Sequence, residues 1–473
     1  MKTSTSTLIR LAICLLALLR SDVRGDVISD WSKTAFDYLG EYSPSSVHIL
    51  RGMAMVHVAQ FDAANAVVGG YSPYAVNLAA PTASAEAAAA QAAYSVLTNV
   101  NRANLSSLNA ALARSLSAIA NGPAKDQGIL LGRAVANVII QWRAGDNPDL
   151  VVPAPTSTAI GRWRPTPPSF SAGINTQARY PAPWTMRSAA QFRPGPPPVL
   201  NSPAYTADYQ EVQRIGSATS NTRTPDQTAA ADFLAAGIDL HSSLLRNVAT
   251  NHPLPLVQSA RLFALSYMTT HDAQIQVFDS KYTYNFWRPI TAIQNGASDG
   301  NPDTTADGAW SPLLETPPHP EYPAAHAEES AALIEVIKSI HGDAISITAF
   351  SSAAARTFAS PSDLLREIME SRIWAGAHFR SACVAGADAG VKIARHAIEN
   401  FLRPVPTLMT GPPANPGEFQ LGFTTGAAVF YVVEGSSDLV QWTPTQTNTY
   451  GLFQYADPGA GGVDHRFYRV TLR

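Results

Sequence analysis

The stretch HPEYPAAHAEESAALIEVIKSIHG, residues 319–342, places a histidine-containing turn in front of a helical pattern. Pro323 suits the start of that helix and Gly342 its end, while no Ser, Thr, Asp or Asn stands immediately before the first turn to cap its amides. Uncapped amides at a helix start attract anions, and the positive end of the helix dipole favours a neutral His326 that can act as a base. A helix capped by solvent, with an incidental histidine, is the alternative. The apolar residues that set the helical spacing are Leu333, Val336, Ile337 and Ile340.

A second stretch, KYTYNFWRP at residues 281–289, places two cations among aromatic residues. Apolar spacing predicts one long or slightly broken helix from Leu256 to Trp287, and Lys281 and Arg288 are close to two helical turns apart, so both can point to one side. Cations buried among aromatic rings are costly unless an anion joins them, and an arginine fork with a lysine point charge suits phosphate-like oxygens. Pairing of each cation with a nearby carboxylate is equally consistent with this segment alone.

The third stretch is SRIWAGAH, residues 371–378. Arg372 and His378 are six residues apart, about a third of a turn out of phase on a straight helix, so they converge only if the chain bends near Gly376. A single histidine such as His378 is more often a structural residue than a nucleophile or a ligand. Two arginines, one lysine and two histidines taken together favour an anion site.

These three stretches resemble the signature of the vanadium-dependent haloperoxidase and type 2 phosphatidic acid phosphatase superfamily, in its soluble bacterial haloperoxidase-like branch. That signature reads Lys, six residues, Arg-Pro; then Pro-Ser-Gly-His; then Ser-Arg, five residues, His. The likeness extends over roughly residues 30 to 400, and it implies a mainly α-helical fold of two four-helix bundles with the anion at the end of one. The matching segments are Lys281 to Arg288-Pro289, Pro323-Ala324-Ala325-His326, and Ser371-Arg372 to His378.

The resemblance implies a role for each matched residue. His378 would supply the nitrogen bonded to vanadium, and His326 would be the acid–base group that admits hydrogen peroxide. Lys281 would polarise the peroxide so that a halide is oxidised to hypohalous acid, which then reacts with a small organic acceptor. His319 matches a position that is histidine in bromide-using members and phenylalanine in a chloride-using one, so bromide or iodide is expected. The oxygens of vanadate would be neutralised by Lys281, Arg288 and Arg372.

Two alternatives stay open at this stage. The same cradle suits phosphate, so the chain could be a soluble acid phosphatase without vanadate, in which His378 takes the phosphoryl group and His326 protonates the leaving oxygen. Ala324 and Ala325 replace the usual Ser and Gly, which removes a hydroxyl donor to the anion but keeps the Ala325 amide. Ala382 stands where the family usually has an Asp that orients the last histidine. These departures leave open a catalytically degenerate, secreted anion-binding or interaction protein.

Composition indicates a globular protein, with 46% apolar residues, 15% charged residues and a net charge of −3, and nothing in it indicates a nucleic-acid partner. Two cysteines in 473 residues exclude a disulfide scaffold and a thiolate zinc cluster. Residues 1–25 carry an apolar run from Leu11 to Leu19 behind basic residues, which predicts a secretory signal peptide. No other apolar run is long enough to span a membrane. The mature protein is therefore expected to be secreted or periplasmic and not membrane-embedded.

The predicted organisation has three parts after the signal peptide. Residues 26–403 form the helical domain, and a proline-rich strap at 151–204 lies extended across it because prolines at that density exclude helix and central strand. Residues 404–417 form a proline-rich linker, and alternation of period two predicts a β-sandwich-like module at 418–473 without a catalytic set. Members of the family often self-associate, but the sequence identifies no interface. The strap is expected to bury its aromatic residues, Trp163, Phe170, Trp184 and Phe192.

Overall fold

A computed structural model describes residues 26–43, 45–102, 104–351, 354–405, 407–411, 419–425, 431–448, 451–457 and 466–472. The predicted signal peptide lies outside these ranges, as do residues 406 and 412–417 of the predicted linker. The helices are α1 (Val27–Tyr42), α2 (Ser46–Val68), α3 (Ala85–Val100), α4 (Leu105–Ser117), α5 (Pro123–Trp142), α6 (Pro203–Ile215), α7 (Pro225–Phe233), α8 (Ile238–Asn251), α9 (Leu256–Tyr284), α10 (Pro289–Gln294), α11 (Ala325–His341), α12 (Pro361–Trp374) and α13 (Arg380–Asn400). The strands are β1 (Ile347–Phe350), β2 (Ala355–Phe358), β3 (Thr407–Gly411), β4 (Phe419–Thr425), β5 (Tyr431–Ser436), β6 (Thr443–Asn448), β7 (Gly451–Asp457) and β8 (Phe467–Leu472).

The helical part has two groups of packed helices that share α9. On one side α9 packs against α2, which in turn packs against α3, and α3 packs against α5. On the other side α9 packs against α11 and α13, and α12 completes this group by its contacts with α11 and α13. The prediction of a mainly α-helical fold with small antiparallel β elements is confirmed. Since α9 is 29 residues long, its last turns carry residues of the sequence signature to the end of the second group.

Small residues bring neighbouring helices unusually close together. A Cβ atom at Gly132 of α5 would overlap the carbonyl oxygen of Ala88 in α3, so only glycine permits this separation. The same holds for Gly390 of α13, where a Cβ atom would overlap the carbonyl oxygen of Glu328 in α11. Close-packed backbones leave little freedom for one helix to slide along the other. The start of α11 is therefore held firmly against α13.

The strap runs without a helix longer than the 3₁₀ turn Thr176–Arg179, as its prolines predict. Trp184 is buried, and its backbone N–H donates to Asp272 Oδ1 of α9 over 2.7 Å while its ring Nε1 donates to His271 Nδ1 over 2.8 Å. Trp163 is also buried, and Phe192 is half-buried. The expectation for Phe170 is wrong, because this side chain is 62% exposed. Trp184 thus fixes the strap to the middle of α9, and Tyr282 near the end of α9 donates from its hydroxyl to Ile174 O of the strap.

The C-terminal strands form two antiparallel sheets of three strands each, in the orders β3-β4-β7 and β6-β5-β8. The alternation predicted for residues 418–473 therefore corresponds to strands within the ranges that the structure describes. A separate hairpin, β1 with β2, lies between α11 and α12 and packs against α8. None of the helices in the described part of the chain combines the length and apolar character needed to cross a membrane.

Candidate active site

Lys281 and Arg288 reach the same region through a turn, not through helical phase. The prediction of a helix continuing to Trp287 is wrong: α9 ends at Tyr284, and Asn285 adopts the left-handed conformation with φ 48° while its N–H donates to the Lys281 carbonyl. Arg288 lies beyond this turn and is the N-cap residue of α10. Both cations are fully buried. They meet in the protein interior because of the turn, and not because they share one face of a helix.

The ammonium group of Lys281 is surrounded by backbone carbonyls. Its Nζ donates to Pro320 O over 3.0 Å, to Glu321 O over 2.9 Å and to Pro323 O, which uses all three of its donors. Burial lowers the pKa of Lys281 well below its usual value, and Arg288 lowers it further. Lys281 thus fixes the segment that leads into α11. It can donate to a bound anion only by giving up one of these three bonds.

Arg288 connects the three segments of the signature. Its Nε donates to His319 O over 2.8 Å, and its Nη1 donates to Ala377 O over 2.9 Å. Nη1 also lies 3.1 Å from His378 Nε2, while Nη2 lies 3.1 Å from His319 Nδ1 and donates to Pro317 O over 3.1 Å. Burial lowers the pKa of Arg288 to about 9. The guanidinium group therefore holds His319 and His378 on either side of itself.

The predicted bend between Arg372 and His378 is confirmed. Helix α12 ends at Trp374, Gly376 has φ 72°, and the backbone N–H groups of Ala377 and His378 both donate to the Arg372 carbonyl, over 3.1 and 3.3 Å. A Cβ atom at position 376 would lie 2.5 Å from the Gly216 carbonyl oxygen, so glycine is needed both for the conformation and for the space. The bend folds His378 back toward the helix that carries Arg372.

The guanidinium group of Arg372 has unused donors. It is 3% exposed, and its Nε and Nη1 have no hydrogen-bond partner among the described residues. Burial lowers the pKa of Arg372 to about 10. A buried guanidinium with open donors is unfavourable unless a negative group accepts from it. Arg372 is accordingly the cation that points most directly to a bound anion.

The start of α11 is uncapped, as the sequence predicts. Ala324 is the N-cap residue, and no described side chain accepts from the first-turn amides. Its own N–H donates to the Ala382 carbonyl over 3.0 Å, which ties the start of α11 to α13. His326 follows in the first turn, where its Nε2 lies 3.4 Å from Ala235 O. Burial and the nearby charge of Arg372 lower the pKa of His326 well below its usual value, so the ring is neutral at pH 7.

His378 has a carboxylate partner that the sequence did not predict. Its Nδ1 lies 2.9 Å from Glu321 Oε1, and the backbone N–H of Phe379 donates to the same oxygen over 2.9 Å. The side chains of His378 and Glu321 are 1% and 0% exposed. Ala382 therefore does not leave the histidine without a carboxylate. The signal was present in the sequence, because Glu321 lies inside the stretch that opens with His319, but its partner is 57 residues away along the chain.

A cavity of about 1020 Å³ reaches this region from the surface. His319, Ala325 and His326 lie in its wall, and so does Glu329, one turn after His326 on α11. Burial raises the pKa of Glu329 to about 8. The remaining wall combines apolar residues with polar ones such as Asp149 and Asp239, and its volume admits a small organic molecule. Among its apolar residues are Phe36, Ile49, Val152, Ile174, Ile238 and Phe278.

These residues fit a tetrahedral oxo-anion. Arg372 offers open donors, Arg288 brings a second buried charge beside His378, and the uncapped first turn of α11 includes the amide of Ala325. A vanadate or phosphate ion would satisfy the open donors of Arg372. The predicted residues Lys281, Arg288, Arg372, His326, His378 and His319 are thus assembled at one end of the α9, α11 and α12 group.

Comparisons with known proteins find relatives of the part of the chain that carries these residues. Residues 261–406 match the family described as the VCPO second helical-bundle domain. The vanadium chloroperoxidase of Curvularia inaequalis is 27% identical over 191 residues, which is 33% of this chain and 31% of that protein, so the match spans about a third of the relative's length.

Solved structures show the same fold at low identity. A bacterial vanadium-dependent iodoperoxidase superposes with a TM-score of 0.68 at 22% identity, covering 79% of this chain and 97% of that one. The holo form of a bacterial vanadium-dependent chloroperoxidase superposes with a TM-score of 0.59 at 16% identity, covering 75% and 91% of the two chains. The partial sequence match and the shared fold support a relation of this chain to the vanadium haloperoxidases and their superfamily with the type 2 phosphatidic acid phosphatases.

Proposed function

We propose that this protein is a vanadate-dependent haloperoxidase that oxidises bromide or iodide with hydrogen peroxide to hypohalous acid. The observation that carries the proposal is the buried Arg372 guanidinium with open donors, close to the uncapped start of α11. A site of this kind requires a multiply charged anion. The sequence match to a vanadium chloroperoxidase supports vanadate as that anion.

The chain's own residues would have two roles, which are to balance the negative charge of the anion and to transfer protons. Vanadate, when bound, would supply a Lewis-acid centre that makes hydrogen peroxide electrophilic toward a halide. Arg372 and Arg288 would hold the negative charge of the anion, and His378 would offer Nε2 as the ligand atom. His326 is neutral, borders the cavity and is partly exposed, so it can take a proton from hydrogen peroxide as it enters. Lys281 would contribute its charge and, on release of one carbonyl, a donor.

Bromide or iodide is the proposed halide because His319 borders the site. Its ring stands edge-on to Phe278, with 5.3 Å between ring centres, and it contacts Arg288 Nη2. A polar ring at this place gives the halide a more polar environment than the phenylalanine of the chloride-using member would. The cavity beyond His319 and His326 would admit the small organic acceptor.

The decisive experiment is halogenation by protein that has been freed of oxo-anions and then incubated with vanadate. With hydrogen peroxide and bromide, or iodide in parallel, it should halogenate a phenolic dye, and His378→Ala should abolish this activity. His341→Ala is the matched control, because His341 ends the same helix α11 far from its first turn and should leave the activity unchanged. Halogenation without dependence on vanadate would contradict the proposal.

The alternatives give different results in the same preparations. Hydrolysis of an aryl phosphate that vanadate inhibits and His378→Ala removes would instead indicate a phosphatase with a phosphohistidine intermediate. Absence of both activities and of vanadate binding by calorimetry would indicate a degenerate anion-binding protein. The specific support for the peroxidase over the phosphatase is the match of residues 261–406 to the chloroperoxidase bundle domain.

We also propose that residues 1–25 direct the protein out of the cytoplasm and are removed. The proposed cleavage site lies directly before Asp26, which accepts the Ser29 N–H over 2.8 Å as the N-cap of α1. Removal of the segment would therefore leave the first helix intact. Mass spectrometry of the exported protein should find an N-terminus at or near Asp26, and an intact residue 1 would contradict this.

A further inference from the structure

We propose that Glu321 is the positioning residue for His378: it fixes the ring so that Nε2, without a proton, faces the anion site. The proposal rests on the proposed function for its consequence, which is anion binding. Its geometric basis is independent of that function. Glu321, in the segment that precedes α11, replaces the carboxylate that position 382 does not supply.

Two neighbours with opposite hydrogen-bonding capacity define the tautomer of His378. Arg288 Nη1 lies 3.1 Å from His378 Nε2 and can only donate, so Nε2 must accept. Glu321 Oε1 lies 2.9 Å from His378 Nδ1 and already accepts from the Phe379 N–H, so Nδ1 must donate. This assignment holds whether the carboxyl group is ionised or carries a proton on its other oxygen, Oε2. The lone pair of Nε2 therefore accepts from Arg288 Nη1 in this structure, and it would become available to a bound vanadate when that donor turns to the anion.

Glu321 is itself held rigidly. Its backbone N–H donates to Phe286 O over 3.0 Å, in the turn after α9, and its carbonyl accepts from Lys281 Nζ over 2.9 Å. Its side chain is fully buried, so water cannot take its place beside His378. Lys281 thus acts on the histidine indirectly, since it anchors the backbone from which the carboxylate extends. Outer partners of this kind set the tautomer and the orientation of a ligand histidine.

The Nδ1 proton of His378 provides a direct spectroscopic test. In protein labelled with ¹⁵N in its histidines, the buried Nδ1–H should give a low-field proton resonance protected from exchange, assigned by its loss in His378→Ala. Glu321→Ala should remove this resonance or move it to higher field. Asp208→Asn is the matched control, because Asp208 is a buried carboxylate that accepts the Ser381 N–H of the same segment without contacting His378. It should leave the resonance in place.

Anion binding gives the second readout, by titration calorimetry of orthovanadate into protein freed of bound oxo-anions. Glu321→Ala should raise the Kd of vanadate by about 10- to 100-fold, the usual effect of losing such a partner. Glu321→Gln should lose less, because its amide oxygen can still accept from both N–H groups, and Asp208→Asn should bind like the wild type.

The outcomes separate the positioning role from the proposed function. An unchanged resonance and an unchanged Kd in Glu321→Ala would overturn the positioning role, as would equal losses in Asp208→Asn, which would indicate a general structural effect. If the wild type binds no vanadate, the proposed function fails. The histidine resonance would then still decide whether Glu321 holds His378.

Discussion

Replacing Arg372 by methionine should stabilise the protein in the absence of an oxo-anion and weaken its binding of vanadate. Burial lowers the pKa of Arg372 from 12.5 to about 10, and at about 1.4 kcal/mol per pKa unit this corresponds to roughly 3 kcal/mol of unfavourable burial. Methionine fills most of the same space without charge, and the small void it leaves costs about 1 kcal/mol. The free energy of unfolding should therefore rise by about 1–2 kcal/mol.

The loss in binding follows from the same open donors. Nε and Nη1 of Arg372 have no partner among the residues the structure describes, so a bound anion would accept from both. Hydrogen bonds to charged groups are worth about 1.5–3 kcal/mol each, so losing two should weaken vanadate binding by at least about 100-fold. The stabilisation by vanadate seen in thermal unfolding should disappear with it.

Thermal unfolding and calorimetry with and without vanadate would measure both effects. Arg143→Met is the control, because Arg143 is also buried but has an ion-pair partner: its Nε donates to Asp146 Oδ2 over 2.8 Å and its Nη2 to Ala182 O over 2.7 Å, and only Nη1 lacks a partner among the described residues. Its replacement should destabilise the fold and leave vanadate affinity unchanged. Lower stability of anion-free Arg372→Met together with wild-type affinity for vanadate would contradict an anion-binding role for Arg372.

Three further substitutions test neighbouring parts of the site. Lys281→Met should lower the free energy of unfolding by about 3 kcal/mol in urea titrations, because three buried carbonyls lose their donor; an unchanged value would mean that these bonds carry no stability. Burial raises the pKa of Glu329 from 4.5 to about 8. Between these two pH values the folded protein keeps a proton that the unfolded chain releases, so the free energy of unfolding falls as the pH rises from 4.5 to 8. Glu329→Gln should remove this contribution of Glu329 to the pH dependence of unfolding, which is on the order of a few kcal/mol between pH 5 and 8. If the free energies of unfolding of variant and wild type ran parallel over this pH range, the raised pKa of Glu329 would be contradicted. Ala324→Ser should add about 1 kcal/mol by capping α11, measured by thermal unfolding, and no gain would indicate that these amides already have acceptors.

Local features of the site could be predicted from the sequence because neighbouring residues determine them. The uncapped start of α11 needs only the residue types before it, and the bend at Gly376 follows from the phase mismatch between Arg372 and His378. Helix spacing and the end at Gly342 were equally local. Such features depend on backbone conformations and on apolar periodicity, and short segments of sequence are enough to predict both.

Features that depend on the way the chain turns could not be predicted in the same way. The helix pattern runs on past Tyr284, but Asn285 takes the left-handed conformation and ends α9, which the aromatic residues after it do not indicate. The bonding of Lys281 was also hidden, because its acceptors lie 39 to 42 residues further along the chain. The sequence shows a lysine among aromatic residues, but it does not show whether backbone carbonyls or an anion accept hydrogen bonds from that lysine.

Position 382, where the family usually has an Asp, is Ala in this chain, and Glu321 supplies a carboxylate to His378 instead. A missing signature residue therefore does not by itself mean that His378 lacks a partner. The Ala324 N–H donates to the Ala382 carbonyl over 3.0 Å, and a Cβ atom at Gly386 would lie 2.6 Å from the Ala324 carbonyl oxygen. The start of α11 and the start of α13 are therefore in direct contact. A carboxylate extending from either one can reach the same histidine, because what the ring requires is an acceptor at Nδ1 and not a particular position in the chain. Where two segments touch this closely, a residue in one can take over a contact that the other does not supply. Only the distance between Glu321 and His378, 2.9 Å across 57 residues of chain, distinguishes relocation from loss.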